Sequence, residues 1–499
     1  MERASGVLLP IFSLPSDLGV GDFGFSAYKF IDFLKRGGQK FWQILPLVQT
    51  GLGNSPYSSV CSYSFNPYFI SPELLKKENL ISKSDLSLSI NKSKKVDYGF
   101  LYEVRYSLLK TAFNNFDKNL AEFVDFVNKG EFKDYALFMA LKERYNYAPF
   151  YEWADGYKNR DQSALDEFIK NNLSDYLFWQ FVQFEGQKQW LELKNYANKK
   201  GVSIIGDLPL YVALDSVDVW ANPSLFKLNN DFTPKKVAGV PPDYFCEDGQ
   251  LWGNPVYDYS NHQKDDFSWW SNRILRALTV YDYIRIDHFR GLDRYYEVEP
   301  TAQNAKVGEW IDVPSEELFN AIHNVVDKSK IIAEDLGIID DGVRELLAKT
   351  GYPGMKILSF AFNGDQNNAY LPESLPKNSI CYTGTHDNDT LIGLISSANE
   401  WDKNNLICGV KSSLEKFNLS LPLTTDKDLA KAIIRLGYIS NSNLFILPMQ
   451  DLLALNSDCR VNTPGVVSTD NWVFRLNERQ LKRKYAKTLK TYAKNSNRI

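Results

Sequence analysis

Short apolar runs rich in β-formers recur along this chain, bounded by turn residues and mostly separated by helical patterns. They lie at Gly6–Phe12, Lys40–Leu47, Val202–Leu208, Tyr283–His288, Lys330–Ala333, Met355–Phe360, Ser379–Thr383 and Asn443–Pro448. Between the first two, Ser26–Arg36 carries apolar residues at i, i+3 and i+4 and stops at Gly37-Gly38, a helix-terminating pair. Phe178–Lys199, Phe267–Leu278, Glu316–Val326 and Gly342–Lys349 precede the third to sixth runs in the same way. Eight strands alternating with helices predict an α/β fold of the (β/α)8 barrel type.

A single barrel spanning 1–499 is the expected unit, with two additions. The stretch 71–176, between the second and third strands, holds amphipathic patterns at Asp97–Phe116, Leu120–Val127, Lys133–Arg144 and Ala164–Asn171. It reads as an inserted helical subdomain. The segment 209–266 carries Gly239, Pro241-Pro242, Gly249 and Gly253 among aromatics, and loops of that length in a compact domain are usually functional. The tail after the eighth strand has room for a closing helix but not for a β-sandwich domain.

A net charge of −4 with no basic stripe argues against nucleic acid as a partner. The five cysteines are far apart and form no Cys-x-x-Cys, so neither a zinc site nor a disulfide framework is indicated. No N-terminal apolar stretch of signal-peptide type and no membrane-spanning run occurs, so a soluble, cytoplasmic protein is expected. The 11 Trp, 28 Tyr and 31 Phe are core material first, although sugars also stack on exposed rings.

Three acidic motifs follow predicted strands: Arg-Ile-Asp-His-Phe-Arg-Gly at 285–291, Ala-Glu-Asp-Leu-Gly at 333–337 and Thr-His-Asp-Asn at 385–388. Carboxylates at the C-terminal ends of several parallel strands converge at the barrel mouth, where such folds hold their chemistry. That convergence suggests glycosidic bond chemistry. Arg285 and Asp287 are two apart on a strand, so both face the barrel interior. An arginine there favours the ionised carboxylate a nucleophile needs, or it forms a structural ion pair. Glu334 and Asp335 are both candidates for a general acid. Glu334 reaches further into the mouth, whereas the shorter Asp335 suits capping the following helix. His386 and Asp387 can hydrogen-bond sugar hydroxyls. Asp207 ends the third strand, as a core-satisfied acid or a functional one, and Tyr57 in Asn-Ser-Pro-Tyr-Ser is placed as a stacking wall.

Two other readings fail on spacing. Gly19-Val-Gly-Asp-Phe-Gly24 fits the dinucleotide pattern Gly-x-Gly-x-x-Gly. Yet Ser13–Gly19 is too long for the tight turn, and the next strand, ending Pro46-Leu-Val-Gln49, supplies no acid for a ribose. None of the four histidines shows the i, i+4 pairing of a helical metal site, so no metal is expected.

The motifs at 285–291, 334–337 and 385–388 combine with Ser-Pro-Tyr-Ser-Ser at 55–59 and Gly-Val-Pro-Pro-Asp-Tyr-Phe-x-x-x-Gly-Gln-x-Trp-Gly-Asn-Pro at 239–255. In this order they resemble the 4-α-glucanotransferases of glycoside hydrolase family 77, the amylomaltases or disproportionating enzymes. The match runs from Gly6 to Arg475 and includes a closing Asn-Thr-Pro-Gly at 462–465 and Asn-Trp-x-Phe-Arg at 471–475. The resemblance implies Asp287 as nucleophile, Glu334 as acid/base and Asp387 as transition-state stabiliser. It implies Arg285 and His386 as sugar contacts, Tyr57 stacking on the same sugar, and Tyr244, Phe245 and Trp252 at acceptor sites. Cys61 and Cys246 depart from the pattern and bear on preferred substrate length.

The expected reaction moves α-1,4-glucan segments from a maltooligosaccharide or glucan donor to the 4-hydroxyl of a glucose or glucan acceptor. It proceeds by retaining double displacement and needs no cofactor. A hydrolase of α-amylase type is the nearest rival, disfavoured by the missing C-terminal β domain and by the aromatic loop. A catalytically dead glucan-binding barrel is disfavoured by the intact acids, and a nicotinamide oxidoreductase would rest on Gly19–Gly24 alone.

Overall fold

The computed structural model describes residues 2–499 apart from 243–246 and Ile338, and apart from the side chain of Leu52. Tyr244 and Phe245, both expected at acceptor sites, and Cys246 therefore lie outside the described residues.

Twelve strands are described, in two sheets. They are β1 (Ala4–Leu8), β2 (Phe41–Gln43), β3 (Ser203–Leu208), β4 (Val237–Val240), β5 (Gln250–Pro255), β6 (Tyr283–Ile286), β7 (Arg294–Val298), β8 (Gly308–Asp312), β9 (Ile331–Ala333), β10 (Gly354–Ile357), β11 (Ser379–Tyr382) and β12 (Leu444–Pro448). The larger sheet runs β10-β11-β12-β1-β2-β3-β6-β9 with every pairing parallel. Its two edges meet where the Ala333 N–H donates to the Pro353 carbonyl at 3.1 Å, so the sheet curls into the (β/α)8 barrel. All eight predicted strands are present, each shorter than its apolar run. The first is displaced most: its strand ends at Leu8, and Ile11–Ser13 is a 3-10 turn.

The barrel interior follows from the period of two along each strand. Phe41, Ile205, Ile332, Met355, Ile357, Ile380, Tyr382, Leu444 and Ile446 pack against one another inside it, with Tyr283 beside them. One step further toward the C-terminal ends, the same inward rows turn polar at Asp207 and Arg285, two residues beyond Ile205 and Tyr283. An apolar floor under a polar mouth is thus written into β3 and β6. On the outside, helices such as Phe25–Arg36 bury Phe30, Ile31, Phe33 and Leu34 against the barrel wall.

The long helix Leu173–Lys199 precedes β3, and the helices Tyr98–Asn115, Ala121–Lys129, Lys133–Arg144 and Gln162–Asn171 lie between β2 and it. The bounds of these four shorter helices lie close to those of the amphipathic patterns read from the sequence. The antiparallel sheet β5-β4-β7-β8 was not predicted. Its first two strands lie in the segment read as an aromatic loop. Arg294–Val298 and Gly308–Asp312 escaped notice because the sheet mixes polar and apolar residues, with Glu309 and Asp312 exposed.

Candidate active site

β3 and β6 are neighbours, and Asp207 and Arg285 are register partners across them. Arg285 Nη1 donates to Asp207 Oδ1 at 2.7 Å and Oδ2 at 2.9 Å, and lies 2.8 Å from Asp287 Oδ1. Its side chain is 4% exposed and that of Asp207 wholly buried, whereas Asp287 keeps 28% of its surface open. Burial alone would push the arginine's pKa down; the charges of Asp207 and Asp287 outweigh this and hold it well above its ordinary value. One guanidinium thus ties a buried carboxylate to an accessible one. Asp207 also accepts from the Tyr57 hydroxyl at 2.7 Å, so it is satisfied below the mouth rather than open to it. Tyr57 in turn stacks on His386, with centroids 5.2 Å apart and planes within 12°.

Glu334 follows β9, next to β6. Its Oε2 accepts from the His288 N–H at 2.7 Å and its Oε1 from the Leu336 N–H at 3.0 Å. Burial raises its pKa to about 8, partly offset by Arg285 and reinforced by Asp287. His288 makes its contact from a left-handed backbone, φ 50°, a conformation that costs a non-glycine residue energy and clusters at functional sites. Burial pushes its imidazole down to about 4, so the ring is neutral near pH 7. The Trp252 ring stands edge-on to it at 4.8 Å, which brings β5 to the mouth.

Asp335 points elsewhere. Its Oδ1 accepts from the Met355 N–H at 2.6 Å and its Oδ2 pairs with Lys356 Nζ at 3.0 Å. It does not cap the following helix, as its length had suggested; Asp340 does that, accepting from the Val343 N–H. Asp335 instead pins β10 beside β9, because the strand step that faces Glu334 inward sends its neighbour to the outside.

Asp387 follows β11 with 40% of its side chain exposed, and His386 Nε2 lies 3.3 Å from its Oδ2. Among the described residues, no group of three or more His, Cys, Asp or Glu side chains is arranged to hold a metal ion. In Gly19–Gly24, Gly19 takes φ 84° to make a turn, and the Gly24 N–H bonds Asp22 Oδ1, leaving an ordinary loop before the first helix.

Three residues that sequence reasoning left without a role also reach this site. Arg460 and Asn462 contact Asp387, and Trp472 packs beside Tyr57 and His386 at centroid distances of 5.9 and 6.0 Å. The closing motif at 462–475 holds the signal for Asn462 and Trp472, whereas Arg460 lies just before it.

A family model described as 4-alpha-glucanotransferase matches residues 9–481. A 4-alpha-glucanotransferase of Clostridium butyricum is 42% identical over 473 residues, covering 93% of this chain and 94% of the relative. One from Thermus thermophilus is 37% identical over 510 residues, covering all of both. The amylomaltase of Streptococcus agalactiae, solved in complex with acarbose, superposes over both whole chains with a TM-score of 0.94 at 40% identity. The chain belongs to the 4-alpha-glucanotransferase family, glycoside hydrolase family 77.

Proposed function

We propose that this enzyme breaks an α-1,4 bond in a maltooligosaccharide or glucan and passes the glycosyl segment to the 4-hydroxyl of another glucose or glucan, through an ester on Asp287. The observation that carries this reading is the contrast between two carboxyls at one barrel mouth. Asp287 is accessible and paired with Arg285, while Glu334 is buried and protonated up to about pH 8. Two carboxyls in unlike environments divide the nucleophile's task from the acid's.

In the first half-reaction an Asp287 oxygen attacks the anomeric carbon as Glu334 gives its proton to the departing glycosidic oxygen. The ester neutralises Asp287 and removes a charge that raises the Glu334 pKa. The carboxylate of Glu334 then takes the proton of the incoming 4-hydroxyl, whose oxygen displaces Asp287 and restores the α bond. One bond is broken and an equivalent one made, so the exchange needs no energy source or redox partner. Asp387 and His386 meet the ring hydroxyls, Tyr57 stacks on the sugar, and Asp207 holds Arg285 in place from below. Trp252 belongs to the acceptor side, with Tyr244 and Phe245 as neighbours in sequence.

Incubation with maltotriose alone tests this function. Transfer yields glucose together with maltopentaose and longer chains while the number of reducing ends stays constant. Glucose and maltose with rising reducing ends would make the enzyme a hydrolase and overturn the reading.

A further inference from the structure

The strap that follows β12 closes over the site through a set of contacts that a mere chain terminus does not require. The Asn462 N–H donates to the His386 carbonyl at 3.1 Å, and Asn462 Nδ2 donates to Asp387 Oδ1 at 2.7 Å. Arg460 Nη2 donates to the Asp387 carbonyl at 2.5 Å, while its Nε holds the Asn462 carbonyl at 2.7 Å. The Trp472 N–H returns to the Val461 carbonyl at 2.7 Å, so the strap doubles back on itself. Trp472 does so at φ 64°, a left-handed conformation unfavourable for a bulky side chain, with its ring buried beside Tyr57 and His386.

Asp387 is the most exposed of the three acids, and Asn462 is the fixed donor on its Oδ1. Its other oxygen lies 3.3 Å from His386 Nε2. The Arg460 contact fixes the backbone of Asp387, and the Asn462 contacts fix its side chain and the residue before it. A carboxylate that must meet sugar hydroxyls as charge develops on the ring gains from being held before substrate arrives.

We propose that Arg460 and Asn462 are positioning residues that set the Asp387 carboxylate for the transition state. This rests on the assignment of Asp387 as the stabilising acid. The charged and titratable groups around Asp387 include His386 on its own loop, Tyr57 from the loop after β2 and Arg460 from the strap, with Asp207, Arg285 and Asp287 around Tyr57 itself.

The test is steady-state transfer from maltotriose by Asn462→Ala, Asn462→Asp and Arg460→Lys, with thermal unfolding measured in parallel. Asn462→Ala is expected to lower kcat about ten- to a hundredfold with donor KM within about threefold, the mark of an interaction realised in the transition state. Asn462→Asp, nearly isosteric, sets two carboxyls in contact that share one proton. Its activity is expected to fall with rising pH well before that of the wild type, whose own decline is expected above about pH 8. A residue that only shapes the fold would not move the pH profile in that way. Arg460→Lys keeps a donor but loses the fork and is expected to lower kcat less than Asn462→Ala. The proposal is overturned if Asn462→Ala keeps kcat within twofold, or if the Asn462→Asp profile superimposes on that of the wild type. Asp387→Asn separates the two claims: full activity there would overturn the assignment of Asp387, whereas lost activity there with normal Asn462 variants would overturn the positioning role alone.

Discussion

Neighbouring carboxyls acquire different chemistry here through a one-residue step along a strand. Glu334 faces inward, is 9% exposed and titrates at about 8, whereas Asp335 faces Lys356 and the backbone of β10. A carboxyl raised in this way keeps its proton below pH 8 and loses it above. The donor half-reaction needs that proton, so kcat/KM for maltotriose is expected to fall about tenfold per unit as pH rises past about 8, read from initial rates. Asp287→Asn keeps the Asp287 shape but cannot attack carbon, and should reduce transfer by about ten-thousandfold or more with circular dichroism unchanged. Asp335→Asn removes a minor charge that helps raise the Glu334 pKa, so it should shift the alkaline limb only slightly toward lower pH while lowering the unfolding temperature. If it proved more damaging to transfer than Glu334→Gln, the acid would be the wrong neighbour. At this scale the sequence made the placement of Asp287, Glu334 and Asp387 after β6, β9 and β11 legible, because each sits in a motif that follows an apolar run. It was not legible for Asn462, which reaches Asp387 across 75 positions of chain.

Among the elements, the parallel strands announced themselves because strands buried on both faces read as continuous apolar runs. The sheet β5-β4-β7-β8 did not, since its strands alternate or interrupt their apolar residues with Gly239, Gly253, Glu297 and Glu309. That sheet matters because β5 delivers Trp252 to His288, whose N–H is bonded to Glu334. In the proposed reaction, ring faces on the acceptor side would hold a sugar and keep water from the ester. Trp252→Ala is therefore expected to raise the ratio of new reducing ends to transfer products severalfold on one maltooligosaccharide. A uniform loss of both activities would instead mark Trp252 as an anchor for the hairpin. Hairpin pairing is set by cross-strand partners distant in sequence, such as Tyr296 with Trp310, which a reading along the chain does not see.

Across the whole molecule, both ends of the chain are tied into the base of the barrel, opposite the mouth. Arg3 donates to the carbonyls of Ser440, Ser442 and Ser496. Arg498, 1% exposed, donates to those of Ala4, Tyr438, Ser442 and Asn443 at 2.6–3.0 Å. These contacts join β1 to β12 and the helix Asp426–Ile439. Arg498→Ala removes these four charge-assisted donations, although Arg3 still reaches the Ser442 and Tyr438 carbonyls and the Ala4 N–H that of Asn443. It should cost about 2–3 kcal/mol, with kcat unchanged below the unfolding temperature. The barrel and its polar mouth were readable because the period of two states both floor and site, whereas such closure at the termini carries no local pattern. The account's central claim is the ester on Asp287. Glu334→Gln, given a fluorinated maltosyl fluoride without acceptor, should form the ester, since fluoride leaves unprotonated, but resolve it slowly. Mass spectrometry of the quenched protein should show one maltosyl group on the peptide bearing Asp287, which persists when maltose is added because no base remains at position 334 to take the acceptor's proton. A label on another residue, or fluoride release with no labelled protein at any time, would contradict it.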